Sequence, residues 1–157
     1  MEIPKKEGIS FGITSGTITT LGLIVGLYSG THSKLAVVGG ILILAIADSL
    51  SDALGIHTSE ESRKDPVKNI WKTTIYTFLT KFFYTLTFVI PILLFNLKTA
   101  IIINVIYGLI GLTLLNFYFS GRKNRFKAIR EHVSLAIAVI IITYVLGILI
   151  SNIFGNI

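Results

Sequence analysis

Asp48 and Asp52 stand four residues apart in the stretch A47-D48-S49-L50-S51-D52-A53, directly after an apolar run over 35–46. On a helix that spacing puts both carboxylates on one face, where they repel unless a cation, a proton or a basic partner lies between them. Three chemistries fit. Carboxylates and hydroxyls are hard oxygen donors suited to Mg²⁺, Ca²⁺, Mn²⁺ and, less selectively, Fe²⁺. Ser49, with Thr14 and Ser15 from the preceding apolar segment, would add to such a shell. Two close acids inside a membrane also suit proton handling in a transport cycle. The third possibility is structural, because Lys81 lies about eight residues into a later apolar segment. At about 1.5 Å of rise per residue it reaches the depth of Asp48, so an Asp48–Lys81 ion pair competes with both functional readings.

The elements that carry these residues follow from composition. The chain has 157 residues, 52% of them hydrophobic and only 14% charged, against about 25% charged in an ordinary soluble domain. Continuous apolar windows recur at about 10–28, 35–56, 73–95, 99–119 and 133–154, each long enough to cross a hydrocarbon core about 30 Å thick. The expected fold is an all-α integral membrane protein, one domain of five transmembrane helices. The runs are continuous rather than alternating, which argues against a barrel. Asp65-Pro66 signals the start of the third helix, with Asp65 as its cap, and Pro91 should kink or end it. No cleavage site follows the first span, so no signal peptide is expected. There is no cysteine, which removes disulfides and thiolate metal ligands.

The net charge of +6 is distributed by side rather than gathered into a nucleic-acid surface. Lys5, Lys6, Arg63, Lys64, Lys68, Lys72 and the basic segment 122–130 all fall on the side of the N-terminus, while Lys34 and Lys98 fall on the other. This bias over short loops predicts a cytoplasmic N-terminus and an external C-terminus. On the same cytoplasmic side His57, Glu60 and Glu61 occupy positions i, i+3 and i+4, able to collect cations at the mouth of a path. A solvated helix end is the plainer reading of the same three residues.

The first span carries two glycine runs at spacing four, Gly8-Gly12-Gly16 and Gly22-Gly26-Gly30, interleaved with Thr14, Ser15, Thr17, Thr19 and Thr20. Small residues at that spacing let helix backbones approach closely in a membrane, so this helix is expected to face protein, a symmetry mate included.

The segments 13–27, 55–60 and 142–147, with the third helix bounded by Pro66 and Pro91, make the chain resemble the vacuolar iron transporter family of five-helix membrane proteins. The resemblance implies a homodimer whose first helices line a path for Fe²⁺ or Mn²⁺, carried out of the cytoplasm in exchange for protons, with no permanently bound cofactor. The family's first-helix Asp corresponds here to Ser15, and its cytoplasmic metal-binding insertion between the second and third helices is missing. Asp48 and Asp52 must then supply the site. Apart from the resemblance, the expected location is a prokaryotic plasma membrane, which the chain crosses several times, with the bilayer, metal ions and a second copy as partners. Two rival classes remain: a non-transporting scaffold held by an Asp–Lys pair, and a transferase using D48-x-x-x-D52 to hold Mg²⁺. The remaining helices offer no second acidic cluster for the transferase, and the expectation is that the chain is not an enzyme.

Overall fold

Glycine spacing in the first helix organises everything around it. In the computed structural model, which describes residues 2–121 and 124–155, α1 (Ile3–Thr31) starts with Pro4 in its first turn, where the missing N–H costs nothing. It is followed by α2 (Lys34–Ser62), α3 (Val67–Thr87), the short α4 (Val89–Leu94), α5 (Leu97–Phe119) and α6 (Arg125–Phe154). No strand occurs among the described residues. Among the described residues five helices are long and apolar enough to span a membrane, with α3 and α4 together forming one span, Val67–Leu94. All five start before the apolar windows do, because polar helical turns precede the greasy stretches.

α1 is the central helix. Half of its apolar stretch is buried, against 11% for α6, whose isoleucines, leucines and valines face outward as lipid-facing side chains do. The two glycine runs serve two neighbours. A Cβ on Gly8 would meet the Thr73 carbonyl at 2.7 Å, and one on Gly12 the Thr77 carbonyl at 3.0 Å. On Gly16 it would reach Lys81 Cγ at 3.4 Å, so α3 climbs this run one rung per glycine. Gly22, Gly26 and Gly30 face Val139, Thr143 and Gly147 of α6 in the same way. The glycine faces expected to meet a symmetry mate are therefore consumed inside the chain. Two helices compete for one small-residue ridge, and α3 and α6 take its two halves.

Helix ends and the one break have local causes. Ser33 caps α2 by accepting from Ala36 N at 3.2 Å, and Asn96 caps α5 by accepting from Thr99 N at 3.0 Å. Asp65 does not cap α3; its carboxylate takes Arg63 Nε at 3.2 Å, and Pro66 itself stands at the N-cap. Pro91 lacks the N–H that would pair with the Thr87 carbonyl, and the helix is interrupted at Phe88. At the break itself Asn104 Nδ2 of α5 donates to the Phe88 carbonyl at 3.0 Å, tying α5 to the interrupted helix. At the N-terminal end Glu2 accepts from Lys72 at 2.6 Å, tying α1 to α3. That hydrogen bond and the Lys72 charge hold the exposed Glu2 carboxyl below its ordinary range. Arg122 and Lys123, counted in the charge bias, lie outside the described residues.

The interior is divided along the bundle axis. In the half nearer the C-terminal end, Leu21, Ile24, Val25, Val37, Ile41, Phe88, Ile92, Ala100 and Ile101 form one apolar cluster. In the other half the buried residues of α3 beyond Ile70 are polar, and the central cluster sits at the boundary.

Candidate functional site

The face of α3 that meets α1 carries Thr73, Thr77, Lys81 and Thr85 at spacing of four, all essentially inaccessible. Glycines on α1 make this possible, since only a bare backbone leaves room for a lysine stem between two helices. The Lys81 ammonium is completely buried. Its Nζ lies 2.5 Å from Asp48 Oδ2 and 2.5 Å from Asp52 Oδ2, and it donates to Ser15 Oγ at 2.9 Å. An ammonium has three N–H donors, and three oxygens surround this one.

The two carboxylates are not equivalent. Asp52 Oδ2 accepts from Lys81 and also from Ser15 Oγ, both at 2.5 Å. Asp48 Oδ2 is in ion-pair contact with Lys81 but at an angle that makes no hydrogen bond. Their side chains keep 25% and 21% of their surface, so both lie at the edge of the packed face of α2. The buried ridge beside them is Val37, Ile41, Ala45, Ser49 and Ala53. With Lys81 charged, the cluster carries two negative charges and one positive.

Hydroxyls extend the polar zone in both directions. Thr20 and Thr85 approach at 3.4 Å, and Thr17 reaches Tyr84 Oη at 3.4 Å. Ser49 Oγ and Thr77 Oγ1 are buried with no hydrogen-bond partner among the described residues. Toward the N-terminal end, a cavity of about 670 Å³ opens between α1, α2, α5 and α6, with Thr14, Ser10, Asn116 and Glu60 in its wall.

Most of the residues singled out in the sequence converge here. Asp48, Asp52, Ser15 and Lys81 form the cluster, Ser49 is buried on the same helix, and Thr14 lines the cavity instead. The expected Asp48–Lys81 pair is present, but Asp52 shares the ammonium and holds it by the better geometry. The three residues expected at the mouth part company. His57 packs edge-on against Trp71 at 4.8 Å and bonds Thr74 Oγ1 at 3.1 Å, so it joins α2 to α3. Glu61 is exposed, and Glu60 alone turns inward. The threonine ladder of α3 was missed in the sequence; its spacing of four around Lys81 is the signal that would have found it.

No group of three or more His, Cys, Asp or Glu side chains among the described residues is spaced to hold a metal ion. A cation at the cluster would have two carboxylates and the hydroxyl of Ser15, a thin shell suited to a passing ion more than a resident one. It would also have to take the place that the Lys81 ammonium fills.

Among the described residues, the fold and cluster define a helical protein with five potential membrane spans and, at their centre, a buried lysine shared by two part-exposed aspartates. Comparison of the chain with protein-family models, curated proteins and solved structures gives no match.

Proposed function

We propose that this chain is a transporter of divalent cations of the Mn²⁺/Fe²⁺ type, exporting its cargo from the cytoplasm in exchange for protons. Asp48 and Asp52 are the cargo ligands, and Lys81 is an internal cation that fills the site when cargo is absent. The observation that carries this reading is the position of Lys81 Nζ, 2.5 Å from both carboxylates at the boundary between a polar half and an apolar half. Intramembrane charges are expensive to retain and commonly mark ion pathways. With the N-terminus cytoplasmic, the cavity and threonine ladder lead inward from the cytoplasm, and the cluster around Leu21, Phe88 and Ile92 closes the outer side. The helix break at Phe88 lies in that outer seal, where backbone freedom would let it part. The membrane is a prokaryotic plasma membrane, and the homodimer implied by the family resemblance must use a surface other than the α1 glycines.

One observation favours a second reading, a non-transporting scaffold: all three Lys81 donors already face oxygens, as in a purely structural pair. Flux decides between them. Proteoliposomes holding the wild-type protein should move Mn²⁺, Fe²⁺ or Co²⁺ faster than protein-free vesicles under an imposed pH gradient. Rates equal to protein-free vesicles for all three ions would leave the scaffold.

A further inference from the structure

Glu60 is a buried acid that the central cluster does not use. It is 4% exposed, and its Oε2 has no hydrogen-bond partner among the described residues. Oε1 lies 3.8 Å from Arg63 Nη2, at the edge of ion-pair range, and that exposed guanidinium gives its Nε to Asp65. The Thr73 hydroxyl is the other donor within reach of the Glu60 carboxyl, and it also donates to the Asn69 carbonyl at 3.2 Å. A carboxylate withdrawn from water with so few donors is costly as an anion, and a cation beside it would offset that cost.

The surroundings are built for one. Glu60 borders both the large cavity and a smaller adjoining one of about 250 Å³, and Glu7 of α1 borders both with it. Asp65, Asn69 and Thr73 complete the polar wall of the smaller cavity, so apart from Arg63 its polar side chains all offer oxygen. Glu7 forms no ion pair among the described residues, and Arg63 is the one base paired with Glu60. Lys6 and His132 border only the larger cavity. A liquid water occupies about 30 Å³, so the smaller cavity has room for an ion with several of its waters. Divalent ions that dehydrate reluctantly are held in this manner, by one or two carboxylates and a retained water shell.

We infer that Glu7 and Glu60 form a second cation site, which binds a hydrated divalent ion at the mouth of the polar half. The inference rests on the transport reading for its purpose, as the place where cargo is first captured. The binding itself needs no transport.

Mn²⁺ binding followed by electron paramagnetic resonance, with protein in lipid nanodiscs, tests it. The background is Asp48→Asn/Asp52→Asn/Lys81→Met, which removes the central charges together. This protein should still bind Mn²⁺. Adding Glu60→Gln or Glu7→Gln should weaken binding at least about tenfold, as loss of one close carboxylate implies, while Glu61→Gln should change nothing. Absence of Mn²⁺ binding in the background variant, or titrations unchanged by both Glu60→Gln and Glu7→Gln, would overturn the site. The same two substitutions in the otherwise native chain give a second measure: each should remove a binding event while leaving the cluster intact. Mn²⁺ bound at this site in a protein without flux would remove the transport reading and leave the site standing.

Discussion

Asp48→Asn/Asp52→Asn is expected to destabilise the protein by about 3–5 kcal/mol, the cost typical of removing the partners of a buried charge. Lys81 is wholly inaccessible, and its ammonium would be left facing two amides and the Ser15 hydroxyl. The stem cannot carry the charge elsewhere, because it is packed against Gly16 with Thr77 and Thr85 one turn away on either side. The single substitutions should be unequal. Asp52→Asn should cost more than Asp48→Asn, since Asp52 accepts hydrogen bonds from both Lys81 and Ser15 while Asp48 contributes charge without a hydrogen bond. Adding Lys81→Met to the double variant should recover all but about 1 kcal/mol, because a buried ion pair exchanged whole for neutral groups is often nearly neutral. Denaturation in mixed micelles measures all four. A double variant as stable as the wild type would show that the cluster carries no such burden.

Lys81→Met alone should tighten Mn²⁺ binding at the cluster by about tenfold or more. In the wild type a divalent ion must enter a place already held by an ammonium 2.5 Å from both carboxylates. Two unit charges 4 Å apart interact by about 4 kcal/mol at an effective dielectric near 20, and about 1.4 kcal/mol is a factor of ten. Removing the competitor leaves Asp48 and Asp52 uncompensated, so the same substitution should make folding depend on the ion. Lys81→Arg should keep the charge and the weak binding. Calorimetric titration of the nanodisc-embedded variants, with Glu60→Gln added to weaken the site at the cytoplasmic mouth, reads the effect directly. Equal affinity in wild type and Lys81→Met would favour a structural role for the triad.

The spans, the shared face of Asp48 and Asp52 and the depth of Lys81 were legible in the sequence, because hydrophobic length and helical rise depend on local spacing alone. What stayed hidden depends on which helices touch. The glycines and hydroxyls of α1 marked it as a helix facing protein, but leucine or isoleucine serves equally well against lipid or protein, so nothing in α6 announces that it is the least buried helix. The glycines of α1 announce close approach without naming the neighbour, and a symmetry mate fitted them as well as α3 and α6 do. Ser15 was visible as a hydroxyl near the site, but its bond to Asp52 needs the register of α1 against α2. His57, Glu60 and Glu61 looked like one cluster. One turn of helix separates their directions enough to send His57 to Trp71, Glu60 into a cavity and Glu61 to the surface.

The central claim is that the triad is the cargo site, and the most direct test keeps folding and transport apart. Asp48→Asn/Asp52→Asn/Lys81→Met retains the shape of the cluster without its charge, so a folded protein can be assayed. Mn²⁺ flux into proteoliposomes should fall from the wild-type rate to that of protein-free vesicles. A folded triple variant that carries Mn²⁺ at the wild-type rate would contradict the assignment of Asp48, Asp52 and Lys81 to transport.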